Sequence, residues 1–269
     1  MVFELGVENS LVVITGSTAG IGKGIAEAFA KAGATVVING RREETVSAAI
    51  ADIKEKQSAA KLEPIIGDCG TTEGAEQFCQ QVDALGRPVD VLICNVGIFD
   101  VEQFWDITDA EWNRYMETNF LSNVRLCRHY LKPMLDRKEG RVLLIASEAG
   151  LRVLPHMLHY SITKTAQIAL AEGLAQLTRG TNVTVNSVLA GPTWTGGVQG
   201  YMKGLAEQAG TTTEEATLAY FKETEPNSLL QRFLTVEEIA NAVLFLGSKA
   251  SSGINGTAYR VDGGIIRHI

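Results

Sequence analysis

Tyr160 and Lys164 stand four residues apart at the start of a helical pattern, which puts a phenol and an ammonium on one helical face, one turn apart. A phenol titrates at about pH 10 in water, and a neighbouring cation favours its ionised form. Such a pair can pass one proton to or from an oxygen atom. At this spacing a tyrosine and a lysine are also an ordinary amphipathic pair, so position decides. This is the single Y-x-x-x-K of the chain, and it follows Ser147, at the C-terminal end of an apolar strand pattern, by 13 residues. A hydroxyl there can hold a substrate oxygen beside the phenol. Asn119 lies in the long helical pattern upstream.

A second cluster lies at the other end of the chain. Leu11–Thr15 (LVVIT) runs into Thr15-Gly16-Ser17-Thr18-Ala19-Gly20-Ile21-Gly22 and then into a helix. Glycines at 16, 20 and 22 permit a tight turn and a close approach of backbone N–H groups to a pyrophosphate. The positive helix end adds to the attraction. Strand, turn and helix occur in the order that such a cradle needs.

The elements that must position these groups follow from periodicity. Strands are expected at Leu11–Thr15, Thr35–Asn39, Pro64–Gly67, Val89–Cys94, Arg141–Ala146, Asn182–Leu189 and Ala258–Val261. Helices are expected at Gly20–Ala32, with Gly33 as C-terminal cap, at Glu43–Lys56, and at about 72–85, 108–136, 157–178 and 235–247. Strands apolar throughout belong to a parallel sheet covered on both faces. The expectation is an α/β fold, a single domain over 1–269 with a doubly wound, Rossmann-like parallel sheet of about seven strands. From Thr193 to Arg232 about forty residues separate the sixth strand from the next helix. That is too long for a bare connection. Helical patterns near Val198–Gln208 and Thr213–Thr224 make residues 193–232 a small helical cap, placed to act as a substrate lid.

Composition narrows the partners. Net charge is −7, which argues against nucleic acid, since neutralising phosphates takes clustered Lys and Arg. Met1 to Ser10 carries Glu4 and Glu8 and lacks the basic start and apolar centre of a secretory leader. No segment approaches the roughly 18 apolar residues of a membrane span. Cys69, Cys79, Cys94 and Cys127 have no C-x-x-C spacing, so zinc or redox pairing is not indicated and core positions are expected. A reducing, cytoplasmic location is the corresponding expectation.

The G-x-x-x-G-x-G spacing and the ordered Asn119, Ser147, Tyr160 and Lys164 resemble the short-chain dehydrogenase/reductase family over about Leu11 to Gly264. The resemblance implies an NAD(P)-dependent oxidoreductase acting on a ketone or secondary alcohol. In it Tyr160 is acid/base, Lys164 lowers its pKa and holds the nicotinamide ribose, Ser147 holds the substrate oxygen, and Asn119 keeps a water in a proton relay. It also implies cofactor contacts from Gly16, Ser17, Thr18, Gly20, Ile21 and Gly22. Asp68, followed by Cys69, would meet the adenine. Asn95 and Gly97 stand in a segment where Cys94 and Val96 depart from the family's N-N-A-G. Pro192, Thr193 and Thr195 follow Ala190, which replaces the usual proline. The second strand ends Asn39-Gly40-Arg41-Arg42, with no carboxylate until Glu43. A guanidinium suits a 2′-phosphate, so Arg41, with Arg42 beside it, favours NADP(H), and NAD(H) is the alternative.

Trp194, Tyr201, Met202, Tyr220 and Phe221 either line an apolar pocket under the lid or pack it onto the domain. A carbonyl of medium size with an apolar part is the expected substrate. His156, Met157 and His159 read as pocket or surface residues, and no metal is expected. The helix from Tyr160 to Thr178 is apolar on nearly every side and needs a partner for its outer face. Family members pair this helix across two-fold axes, which implies a homo-oligomer, a tetramer. Competing readings are another reaction on the same fold (dehydratase, epimerase, 3-oxoacyl-thioester reductase) or a non-enzymatic dinucleotide-binding sensor.

Overall fold

The computed structural model describes residues 4–267. Met1–Phe3, the start of the stretch read as lacking leader features, lie outside the described residues, as do His268 and Ile269. Seven strands form one sheet: β1 (Leu11–Ile14), β2 (Thr35–Gly40), β3 (Lys61–Ile66), β4 (Val91–Cys94), β5 (Glu139–Ser147), β6 (Asn182–Ala190) and β7 (Ala258–Val261). They pair in the order β3-β2-β1-β4-β5-β6-β7, all parallel. The expected Rossmann-like sheet is the one observed. The order reverses between β1 and β4, and such sheets bind ligands at the reversal, outside the strands' C-terminal ends.

Alternation along each strand builds two cores. Val12 and Ile14 of β1 join one, with Ile25 and Phe29 of α1 (Gly20–Lys31), Val46 of α2 (Glu43–Lys56) and Val243 of α9 (Val236–Leu246). Leu11 and Val13 face the other, with Phe78 of α3 (Thr72–Asp83), Leu126 of α5 (Ser122–Arg137) and Ala171 of α6 (Leu158–Gln176). Successive side chains point to opposite faces, so strands buried on both sides must be apolar at every position.

Several boundaries differ from expectation, most by one or two residues. β3 begins at Lys61 rather than Pro64, because it is an edge strand paired only with β2 and tolerates polar residues and a proline. β4 begins at Val91 rather than Val89. The helix expected over 108–136 is α4 (Asp109–Tyr115), a π-helical segment Met116–Leu121, then α5. Asn119 lies in that wide turn, a feature that helical periodicity does not encode.

The insertion after β6 is helical, as expected: α7 (Gly196–Ala209), α8 (Thr213–Ala219) and a wide turn Tyr220–Thr224. Its ends meet, with Trp194 N donating to Leu234 O and Leu234 N to Pro192 O, both at 2.8 Å. The cap is therefore anchored to the end of β6. Among the described residues no helix is long and apolar enough to cross a membrane, and no group of His, Cys, Asp or Glu could hold a metal. The four cysteines are buried free thiols. Burial pushes the Cys79 thiol up to about 11.

Candidate functional site

A cleft of about 950 Å³ opens at the C-terminal ends of β1, β2, β4, β5 and β6, under the cap. One end is the glycine turn. Gly16, Thr18, Gly20, Ile21 and Gly22 line it, with Arg41 from the end of β2 and Asp68 and Cys69 from the end of β3. Gly16 has φ +64°, a backbone state that side chains resist. Gly22 is required by proximity: a Cβ there would lie 2.4 Å from both the Gly16 carbonyl oxygen and Asn95 Nδ2. Asn95 ties the end of β4 to the turn, donating through Nδ2 to the Thr15 and Gly16 carbonyls at 2.9 and 3.1 Å. Cys94 and Val96 thus leave this bonding intact. Ala19 provides no capping side chain for α1, so no such group covers the helix's first-turn N–H groups. A bare cradle at a helix N-terminus fits a pyrophosphate.

The other end holds the chemical groups. Ser147 closes β5, and Tyr160 and Lys164 open α6; all three border the cleft. Lys164 Nζ lies 5.5 Å from the Tyr160 ring centroid and donates to the Ile145 carbonyl at 2.9 Å. Burial pushes the Lys164 ammonium down to about 7, and the Glu148 carboxylate pulls the other way. Burial raises the Tyr160 phenol, while a hydrogen bond with Ser147 lowers it. Gly97 leaves a gap between two elements: a Cβ there would lie 3.5 Å from Lys164 Nζ and 3.6 Å from Asn119 Oδ1. Pro192, Thr193 and Thr195 line the wall beyond β6, and Thr195 also caps α7 by accepting from Val198 N.

Two expected site residues are not on the cleft wall. Ser17 is fully buried, donating to Ile14 O at 2.9 Å and accepting from Asn39 N at 2.8 Å. Its hydroxyl binds two strands together and has no share in the cradle. Asn119 is buried behind Gly97. Its Nδ2 donates to Ile98 O and Thr163 Oγ1, and its Oδ1 accepts from Ile98 N. Its backbone carbonyl accepts from Asn123 and Gln167, both at 2.7 Å. One lone pair of Oδ1 therefore remains for the gap beside Lys164.

The cap aromatics divide. Tyr201 lines the cleft, Met202 and Phe221 pack with Phe233, and Tyr220 does both, its ring stacked on Phe233 with centroids 5.3 Å apart, while Trp194 lies against that cluster. His156 and Met157 line the cleft. His159 is neither pocket nor surface, contrary to expectation; it is fully buried, 3.8 Å from the Tyr115 ring centroid to centroid. Arg41 and Arg42 are both exposed, but only Arg41 reaches the cleft.

Sequence reasoning missed four residues. Asn39 binds three chain segments, accepting from Gly16 N and donating to Ile65 O and Gly67 O. Glu148 follows Ser147 and accepts its hydroxyl at 2.5 Å. Arg152 donates to Glu225 at 2.7 Å and lies 3.6 Å from Glu148. An acid directly after an apolar strand that ends in a candidate serine was the available signal for Glu148. Glu225 lies in the cap, where no pattern marked it.

Comparison with known proteins is consistent with this geometry. The family model for short chain dehydrogenase matches residues 10–206. An uncharacterized oxidoreductase of Bacillus subtilis is 50% identical over 99% of this chain and 100% of its own. A 3-oxoacyl-[acyl-carrier-protein] reductase of Aquifex aeolicus is 30% identical, covering 97% and 99%. The crystal structure of L-sorbose reductase from Gluconobacter frateurii, complexed with NADPH and L-sorbose, superimposes with a TM-score of 0.93 at 29% identity, covering 99% of this chain and 100% of that one. With its matched family model and near full-length relatives, the chain belongs to the short-chain dehydrogenase family and is an NAD(P)-dependent oxidoreductase acting on small molecules.

Proposed function

We propose that the protein moves a hydride between NADP(H) and a secondary alcohol or ketone, with Tyr160 giving or taking the proton at the reacting oxygen. The observation that carries this reading is that Ser147, Tyr160 and Lys164 border one cleft with the glycine cradle at its other end. When bound, the nicotinamide supplies a hydride to a carbonyl carbon or takes one from an alcohol carbon. Turning its one proton away from Glu148 Oε2, which it meets at 2.5 Å, Ser147 Oγ donates to the substrate oxygen and holds it beside the phenol. In reduction the Tyr160 O–H delivers its proton to that oxygen as the carbonyl π electrons move onto it. In oxidation the phenolate removes the alcohol proton. Lys164 opposes the effect of burial on Tyr160, because an ammonium near the ring favours the phenolate. A water between Lys164 Nζ and the free lone pair of Asn119 Oδ1 would carry the proton onward.

Gly16, Thr18, Gly20, Ile21 and Gly22 would hold the pyrophosphate. Asp68 and Cys69 would flank the adenine, and Arg41 the 2′-phosphate. Asn95 and Gly97 would shape the middle of the site. Pro192, Thr193 and Thr195 would border the nicotinamide. The 193–232 cap would close over the substrate, and the molecule would assemble as a homotetramer through α5 and α6.

Tyr160→Phe tests the mechanism, since it removes one oxygen and keeps the ring. Turnover of any accepted carbonyl should fall by about 1,000-fold or more, with NADPH binding followed by fluorescence retained. Unchanged turnover would remove Tyr160 from the reaction.

A further inference from the structure

The substrate end of the cleft holds a buried charged cluster that the hydride-transfer reading does not use. Glu148 and Glu225 are 5% and 3% exposed, and both line the cleft with Ser147. Arg152 ties them together, at 2.7 Å from Glu225 Oε1 and 3.6 Å from Glu148 Oε1. Glu148 Oε2 is taken by the Ser147 hydroxyl. Glu225 Oε2 is buried without a hydrogen-bond partner. A carboxylate is an acceptor only, and leaving one of its oxygens buried and unpaired is costly. Arg152 Nε is likewise buried without a partner, so the cluster holds one unpaired acceptor and one unpaired donor beside the cleft that Glu148 and Glu225 line.

Resting on the reading above, we propose that Glu148 and Glu225 select a polyhydroxylated ketone or its alcohol, accepting hydrogen bonds from substrate hydroxyls beyond the reacting carbon. Glu148 is adjacent in sequence to Ser147, so it accepts from a hydroxyl next to the carbonyl. Glu225, reaching in from the cap, accepts from one farther along the chain. A ketone without hydroxyls would bury both carboxylates and return nothing to them. An amine is the competing donor, and two carboxylates facing one guanidinium leave a net charge of −1 that would attract it, but an ammonium has no lone pair for Arg152 Nε. A hydroxyl both donates and accepts. This narrows the expected carbonyl of medium size: Tyr201 and Tyr220 line the same cleft as the two acids and would border its carbon chain.

Erythrulose and 2-butanone share four carbons and the carbonyl position and differ by three hydroxyls, so they isolate the effect. The purified protein with NADPH should reduce erythrulose with a kcat/KM about 100-fold or more above that for 2-butanone. Glu225→Leu and Glu148→Gln should each shrink that ratio by about tenfold or more, with NADPH titration reporting that each variant is folded. Hydroxyacetone should be preferred over aminoacetone. A wild-type ratio near one, a ratio unmoved in both folded variants, or preference for aminoacetone would each overturn the assignment. A variant that fails to fold leaves the wild-type ratios to decide. The two proposals fail differently: a flat ratio with active reduction sinks only the hydroxyl selection, whereas unimpaired Tyr160→Phe sinks the mechanism beneath it.

Discussion

Lys164 shows what a buried ammonium costs the fold. Its ammonium is buried, donates to one backbone carbonyl and is pushed down to about 7. Between about pH 7 and the unfolded lysine's ordinary value near 10.5, the unfolded chain binds more protons at this position than the folded one. Wild-type stability therefore rises with pH across that window, and the full penalty of the buried charge is present below it. Lys164→Met keeps the aliphatic stem and removes the charge, for a gain on the order of 4 kcal/mol at pH 7 and below. Leaving the Ile145 carbonyl without its donor returns about 1–3 kcal/mol of that gain. The variant without cofactor should melt about 3–8 °C higher than wild type at pH 7, lose turnover, and lose its advantage as pH approaches 10.5. A Tm at or below wild type at pH 7 would show that the ammonium is not strained. The placement of Tyr160, Lys164 and Ser147 in one cleft was the most legible layer, because it needs only spacing and a strand end. Ser17 misled because a serine in a glycine turn can face either the ligand or the strands behind it. The pairing of Glu148 with Glu225 was not legible, since it runs through Arg152, one turn after Glu148, to a cap residue 73 positions farther on.

At the scale of an element, the proposed cofactor choice rests on the end of β2. Strand pairing fixes Asn39 between Gly16 and the end of β3, so its side chain is spent on backbone partners. The next side chain after Gly40 is Arg41, which the turn delivers to the cleft rim, exposed and lining the wall. A Cβ at Gly40 would sit 2.7 Å from Thr18 Cγ2, so the strand end and the cradle are packed against each other. Arg41 would therefore sit close to a dinucleotide lying in that cradle. Arg41→Ala should weaken NADPH about tenfold or more while shifting NADH by less than about threefold, as one charge-assisted contact to a 2′-phosphate predicts. Equal losses for both, read by fluorescence titration, would reverse the assignment. The elements themselves were readable because runs such as LVVI and TVVI have no polar side to hide, and because glycine ends the first helix. What escaped were features of pairing and turn width. β3 extends back to Lys61 because an edge strand need not be apolar, and the wide turn at Met116–Leu121 has the same composition as the helix around it.

At the scale of the whole molecule, the outer face of α6 is the unresolved part of the sequence argument. A helix apolar nearly all round calls for burial on both sides, yet in one chain Ile162 is 41% and Leu177 61% exposed. Ala169 and Gly173 lie exposed on the same helix, and a Cβ added at Gly173 would meet nothing. Small residues on an apolar face let a second helix approach closely. Beside them a groove of about 370 Å³ runs between α5 and α6, lined by Leu131, Leu135, Leu170 and Leu174. A second copy applied through a two-fold axis brings the same face to itself and covers both at once. Sedimentation should therefore give at least a dimer at working concentrations, and the proposed tetramer where a second two-fold axis operates, and Gly173→Arg, which puts a charge and a long side chain on the face, should shift it to smaller species. The consequence reaches the chemistry, because the first turn of α6 carries Tyr160 and Lys164. Loosening the helix's outer packing should lower kcat by severalfold while leaving the isolated fold intact. A concentration-independent monomer, or a Gly173→Arg protein that still sediments as wild type, would mean that this face is covered by something other than its own copy.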